Sequence, residues 1–322
     1  MPATSEVAML TPQARNDRVR VAILMCTKNG AVFLDEQLSS IAAQTHANWS
    51  LFVSDDGSND DTLKILRRFA DSHAQQTVIR SGPGEGVCAN FLSLATDPTI
   101  DADYFAFSDQ DDIWYKDKLE RALAWLVTVA DEMPGFYCGR TELVENDGRS
   151  YGFSPLFSRP IAFGNAIIQS LGGGNTMVFN KAAKRLLERT GKLDVVLHDW
   201  WMYQLVSAVG GAICYDAQPV LKYRQHPDNL IGSNRGWRAR FVRIRMMLKG
   251  RFSEWNRKNI AALEQIPADL IKPQNRQVLQ LFAKARTASL FKRLYCLKRS
   301  GVYRQTVLGN IGLVAATILK RI

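Results

Sequence analysis

The sequence predicts an α/β protein, a mainly parallel twisted sheet flanked by helices, followed by a basic α-helical C-terminal region. Three observations carry this. Apolar runs of strand length alternate with amphipathic helical segments through the first hundred residues. The polar clusters of that stretch fall directly after the apolar runs. The charge is also split along the chain. Of 41 Lys+Arg and 31 Asp+Glu in 322 residues, 20 and 3 lie from Arg235 onward, a net of +17. With a total of +10, that leaves −7 on residues 1–234.

Taken in order, residues 1–18 lack the apolar centre of a signal peptide and are expected to be a disordered leader. Val19 to Met25 is a buried first strand. Leu34, Leu38, Ile41 and Ala42 then fall on one face of a helix that ends by Thr45. Leu51 to Val53 is a second strand, and Leu63, Leu66 and Phe69 mark a second amphipathic helix. Thr77 to Ile79 is a third strand, running into the Gly/Pro-rich loop Gly82 to Gly86. Tyr104 to Phe107 is the fourth. From Gly135 to Pro227 the pattern is less regular: Gly172 to Thr176 is a loop entering a strand at Met177, and Val195 to Val209 is helical. The boundaries expected from this are a catalytic-type domain over 19–234 and a basic helical region over 235–322.

The five cysteines are scattered and odd in number, without metal-ligand spacing, which argues against a disulfide framework or a zinc site. No apolar run is long enough to span a bilayer; Gln305 to Leu319 is uncharged but short. Trp237 to Lys249 and Phe291 to Arg299 mix cationic and apolar residues at helical spacing, the character of helices that lie on an anionic membrane surface. A cytoplasmic protein attached to a membrane surface is therefore expected. No recognisable nucleic-acid module accompanies the charge, so nucleic acid is not an expected partner.

In parallel α/β sheets ligands bind at the carboxyl ends of the strands. Three polar clusters share that rim: Thr27 to Gly30, Asp55 to Ser58, and Asp109 to Asp112. Like charges this close repel and resist desolvation, so folding alone does not favour the last cluster. Mg²⁺ or Mn²⁺ would relieve it, since short-spaced oxygen ligands with open positions for phosphates are how such cations are held. The bland alternative has Asp112 capping the helix that begins near Lys116, its neighbours merely solvated.

These motifs, in order, resemble the nucleotide-sugar half of family 2 glycosyltransferases with the GT-A fold. Asn165 to Gln169, Gly174 to Met177, His198-Asp199-Trp200 and Tyr223 to Asn229 are similar to its bacterial rhamnosyltransferase-like branch. The resemblance covers about residues 19 to 232. It implies an inverting transfer of one sugar from a dTDP- or UDP-activated donor, L-rhamnose from dTDP-rhamnose by preference, to a saccharide or lipid-linked saccharide in O-antigen or other surface polysaccharide assembly. By the same resemblance Asp55 would accept from the N3–H of the base, with Thr27 and Asn29 lining the base and ribose pocket. Gly86 and Asn90 would touch the donor. Asp111 would bind the metal directly, Asp109 the ribose or a metal-bound water, and His226 would be a further ligand. Arg224 would grip phosphate, Asp199 would be the general base, and Asn175, Thr176 and Trp200 would meet the acceptor.

Two other classes stay open at this point. A nucleotidyltransferase would need a longer phosphate-gripping loop than Thr27 to Gly30, and no base at Asp199. A non-catalytic basic module on an inert scaffold would need none of the carboxylates.

Overall fold

The apolar run of the first strand becomes the centre of a sheet. The computed structural model describes residues 19–225 and 250–322. Strand β1 (Val21–Thr27) is buried at every position and pairs in parallel with β2 (Trp49–Asp55) and β4 (Tyr104–Ser108), while β3 (Thr77–Ser81) adds to β2. Because strand side chains alternate, Val21, Ile23 and Met25 enter one core, and Ala22, Leu24 and Cys26 another. Helices α1 (Leu34–Ala42) and α2 (Thr62–Ser72) close the first core; α3 (Val87–Ala95) lies in the second. This half matches the parallel βα pattern expected from the sequence.

The other half is mixed. Its elements are β5 (Ile113–Trp114), α4 (Lys118–Leu126), β6 (Gly135–Val144), β7 (Ser150–Phe153), the single turn α5 (Phe163–Ala166), a 3₁₀ turn (Gly174–Thr176), β8 (Val178–Asn180), α6 (Lys181–Thr190), α7 (His198–Ala208) and β9 (Ala212–Arg224). The strand order is β3-β2-β1-β4-β8-β6-β9-β5, with β7 on β6. Strand β8 runs antiparallel to both β4 and β6, and β5 antiparallel to β9, whereas β6 and β9 are parallel. Only three residues long, β8 leaves little periodicity to find, which is why the pattern after Gly135 looked irregular. Asn180 ends it and caps α6, its side chain accepting from the Ala183 N–H at 2.9 Å.

The basic C-terminal region forms α8 (Arg251–Glu264), α9 (Pro273–Thr287), α10 (Leu290–Ser300) and α11 (Val307–Ile318). Its buried residues, including Ile260, Leu263, Leu279, Phe282, Leu297 and Leu313, join the second core with α3 and α7. Among the described residues no helix is long and apolar enough to cross a membrane. All five cysteines are free thiols.

Candidate active site

The ends of β1 and β2 are in register, which sets Thr27 opposite Asp55. Thr27 Oγ1 donates to Asp55 Oδ1 at 2.8 Å, and the Ser58 N–H and hydroxyl donate to Asp55 Oδ2 and Oδ1 at 2.8 and 2.5 Å. Asp55 is thus a fixed acceptor at a strand end. Asn29 takes a left-handed backbone (φ 50°), tolerable for asparagine, and is clasped on both sides. Its N–H donates to Ser58 Oγ at 2.8 Å and its Oδ1 accepts from the Asn59 N–H at 2.9 Å. Asp56 ties down the Gly/Pro-rich loop, accepting from the Gly84 and Gly86 N–H groups at 2.6 and 3.3 Å. Gly86 sits at φ +91°, which effectively demands glycine, and opens α3. One turn into that helix, Asn90 is buried; its amide donates to the Ser54 carbonyl at 3.0 Å, and its Oδ1 has no partner among the described residues.

At the end of β4 the carboxylates gather. Ligand oxygens of Asp109, Asp111 and Asp112 all lie within 4.8 Å of one another. Asp112 does not cap a helix. It is fully buried, with Oδ2 accepting from the Asn175 amide at 2.6 Å and Oδ1 left without a partner among the described residues. Burial pushes its carboxyl well above the ordinary range, and the neighbouring Asp111 and Asp109 charges add to this. Asp109 is pushed to about 8 by burial and then by the charges on Asp111 and Asp199.

The counter-charge is Lys118, also fully buried, whose ammonium lies 3.2 Å from the Trp114 ring centre and donates to the Asn175 carbonyl at 2.6 Å. Desolvation holds its pKa well below the usual lysine value, against the pull of Asp112 and Asp109. Three carboxylates and one ammonium leave a formal excess of two negative charges. Together with the orphaned Asp112 oxygen, that is a hard-cation donor set, and Mg²⁺ or Mn²⁺ fits it. Lys118 was missed in the sequence. Its signal was its place on the apolar face of α4, four residues before Ala122 and eight before Leu126.

The 3₁₀ turn joins this cluster to α7. Asp199, in the first turn of α7, accepts from the Gly174 N–H at 3.1 Å through Oδ2, while its Oδ1 takes the Trp200 N–H. Burial raises its pKa to about 6, with these backbone bonds opposing. Beside it, His198 is a neutral aromatic plug. It stacks on Phe91 (centroids 4.0 Å apart), meets Phe107 edge-on at 4.8 Å, and is held near pKa 3 by burial. A methyl on Gly174 would meet His198 Nε2 at 2.2 Å, so the glycine permits the plug.

Several expected contacts are placed elsewhere. Trp200 is no open sugar platform: it is 4 % exposed, and its indole N–H donates to the Ala166 carbonyl at 2.6 Å. Its neighbour Trp201 is buried as well. Asn175 and Thr176, expected at the acceptor, are buried too; Asn175 braces Asp112, and Thr176 Oγ1 donates to the Gly173 carbonyl at 2.8 Å. Arg224 is 2 % exposed, ion-paired with Glu36, bonded to the carbonyls of Asn146 and Asp111, and packed over the Phe33 ring. In this arrangement it braces the Asp111 backbone. His226 lies outside the described residues. Gln110 forms a two-way clasp with Lys28, accepting from its N–H at 2.8 Å and donating to its carbonyl at 3.1 Å.

Comparison with known proteins decides what this arrangement belongs to. The Glycosyl transferase family 2 model matches residues 22–187. The chain belongs to that family. It is 31 % identical over 260 residues, 76 % of this chain and 85 % of the relative, to a dTDP-rhamnosyl transferase, RfbG, of Shigella flexneri. Over 132 residues, 41 % of the chain and 49 % of the relative, it is 30 % identical to an Escherichia coli enzyme, UDP-Glc:alpha-D-GlcNAc-diphosphoundecaprenol beta-1,3-glucosyltransferase WfgD. Among solved structures, a mannosyltransferase from Pyrobaculum calidifontis in complex with GDP-Man and Mn²⁺ aligns with a TM-score of 0.54 at 20 % identity, covering 88 % of this chain and 74 % of that one. TarS of S. aureus with UDP-GlcNAc aligns at 0.51 and 16 %, covering 88 % and 93 %. This family 2 glycosyltransferase therefore has the GT-A fold, and the matched span includes the rim from Thr27 to Asp112 and the turn carrying Asn175.

Proposed function

We propose that this glycosyltransferase moves a single sugar, with inversion, from a dTDP- or UDP-activated donor to a saccharide or lipid-linked saccharide acceptor. The sugar favoured is L-rhamnose from dTDP-rhamnose, for cell-surface polysaccharide such as O-antigen, assembled at the cytoplasmic face of the inner membrane. The observation that carries the donor choice is the 31 % identity to the dTDP-rhamnosyl transferase over 76 % of this chain. The observation that supports the chemistry is one raised-pKa carboxylate, Asp199, set near the rim cluster but on a different element.

In this reading Asp55 accepts from the base N3–H, a donor that uracil and thymine share, and Thr27 and Asn29 shape the pocket around it. Asp111, with Asp109 and Asp112 beside it, would hold Mg²⁺ or Mn²⁺, which when bound neutralises charge on the leaving diphosphate. Asp199 takes the proton from the acceptor hydroxyl as that oxygen bonds to the anomeric carbon. The bond from that carbon to the diphosphate oxygen breaks on the opposite face, and the nucleoside diphosphate leaves with the electron pair. A pKa near 6 leaves Asp199 ionised at neutral pH yet basic enough for this step.

Calorimetric titration with dTDP, UDP, GDP and CMP, each with Mn²⁺ and with chelator, tests the donor site. Cation-dependent binding of dTDP or UDP is expected, followed by turnover of dTDP-rhamnose. The similarity to a UDP-Glc-dependent enzyme supports a second reading, a UDP-sugar donor, which UDP-selective binding would favour. No binding by any nucleotide to the folded protein overturns both.

A further inference from the structure

Helix α11 is apolar on two opposite faces. Leu313, Ala316 and Thr317 are buried against the body. On the other side Val307, Leu308, Ile311, Val314 and Ile318 are 67, 63, 60, 44 and 49 % exposed. At about 100° per residue these five fall within one third of the helix circumference. A soluble surface helix ordinarily turns polar residues outward; this one carries no charge along its length.

The neighbouring helix extends the surface. Buried Arg293 of α10 donates to the carbonyls of Thr317 and Ile318 at 2.8 and 3.2 Å, which sets the first turn of α10 beside the last turn of α11. That turn exposes Phe291 at 86 %, with Tyr295 following at 61 %. Around this surface Lys292, Lys298, Arg299, Lys320 and Arg321 are exposed, and residues 290–322 contain no Asp or Glu.

We propose that this face of α10 and α11 docks on an anionic lipid bilayer. Apolar residues would enter the acyl boundary, and the lysines and arginines would meet the headgroups. The inference rests on the reading of a lipid-linked acceptor and deepens it by naming the surface. Charge complementarity selects this occupant. A second copy of the chain would bring two basic rims together, whereas an anionic surface attracts them. At twelve residues α11 is about 18 Å long, too short to span a hydrocarbon core of about 30 Å, so it lies in the interface.

The connection between α10 and α11 ties this surface to the catalytic body. Asn165 donates to the Tyr303 carbonyl at 2.9 Å, and its Oδ1 accepts from Gln305 at 3.2 Å and from the Tyr203 hydroxyl of α7 at 3.0 Å. The Gln305 N–H donates to Gln169 at 3.0 Å. The motif Asn165 to Gln169 thus seats the docking helices against the helix that begins with His198-Asp199.

Co-sedimentation of the full chain with vesicles tests this. Binding to phosphatidylglycerol-containing vesicles is expected, at least tenfold weaker to pure phosphatidylcholine. The double variant Leu308→Glu/Ile311→Glu is expected to lose at least tenfold in vesicle binding while its melting temperature and nucleotide titration stay as in the parent. Wild-type protein that ignores both vesicle types, or a double variant that binds like the parent, overturns the proposal. So does a wild-type dimer, by sedimentation velocity, that the double variant dissolves, because a second copy then covers the face. Nucleotide binding is read separately, so failure of docking is distinguishable from failure of the transferase reading.

Discussion

On the β1–β2 side of the cleft, Asp55 accepts three hydrogen bonds, one from Thr27 at the adjoining strand end and two from Ser58 in the turn that follows β2. On the α7 side, Asp199 accepts, among the described residues, only backbone N–H groups and is desolvated until its pKa rises to about 6. A carboxylate locked by donors is suited to holding a base edge. One with a raised pKa is suited to receiving a proton. The difference arises from construction: the first side is a regular βα array, and the second is assembled by contacts such as Asn175 to Asp112, 63 residues apart.

The largest effects should come from removing one charge on each side. Asp199→Asn is expected to cost about 10³-fold in kcat with nucleotide binding intact. Asp111→Asn should lose cation-dependent nucleotide binding as well as turnover, with an unchanged circular dichroism spectrum. A normally active Asp199→Asn enzyme would break the comparison at its centre.

Next comes the bridge between the sides. Asn175→Ala leaves the Asp112 side chain without its only hydrogen-bond donor among the described residues and should cost about 10–100-fold in activity, the usual range for a residue that orients a ligand. Rescue by raised Mn²⁺ would locate the defect in cation affinity; an unaffected enzyme would show that the bridge is dispensable.

The pH profile sharpens the comparison further. Activity should fall about tenfold per unit below an apparent pKa near 6 as Asp199 protonates, measured as kcat at saturating donor. Stability should move the other way. A carboxyl that is raised on folding binds its proton more tightly folded than unfolded, so its contribution is full below its unfolded pKa of about 4 and is lost as pH rises through 6. Melting temperatures of wild type and Asp199→Asn between pH 4 and 7 would reveal that contribution as a shallower slope in the variant, the raised Asp109 and Asp112 carboxyls supplying the remainder in both. The smallest effect belongs to Gln110→Ala, which removes two hydrogen bonds from the Lys28 loop, about 1–2 kcal/mol, and should appear as a several-fold rise in donor KM with kcat unchanged.

What the sequence by itself determined is the local part: β1 as a continuous apolar run, the amphipathic α1 and α2, and the polar clusters at strand ends. Period-2 and period-3.6 patterns and short motif spacings are properties of neighbouring residues, so they survive in one dimension. The family resemblance came from the same rim motifs and from the later segments that share their order. The tertiary structure alone decided that Asp112 is a buried member of the cluster and not a cap, that Lys118 balances it, and that Arg224 and Asn175 brace carboxylates. It also turned Trp200 into the core and left one face of α11 outside it. Burial and charge pairing depend on which distant segments meet. The antiparallel insertion of β8 between β4 and β6, which brings the Asn175 turn to the acidic strand end, is such a meeting.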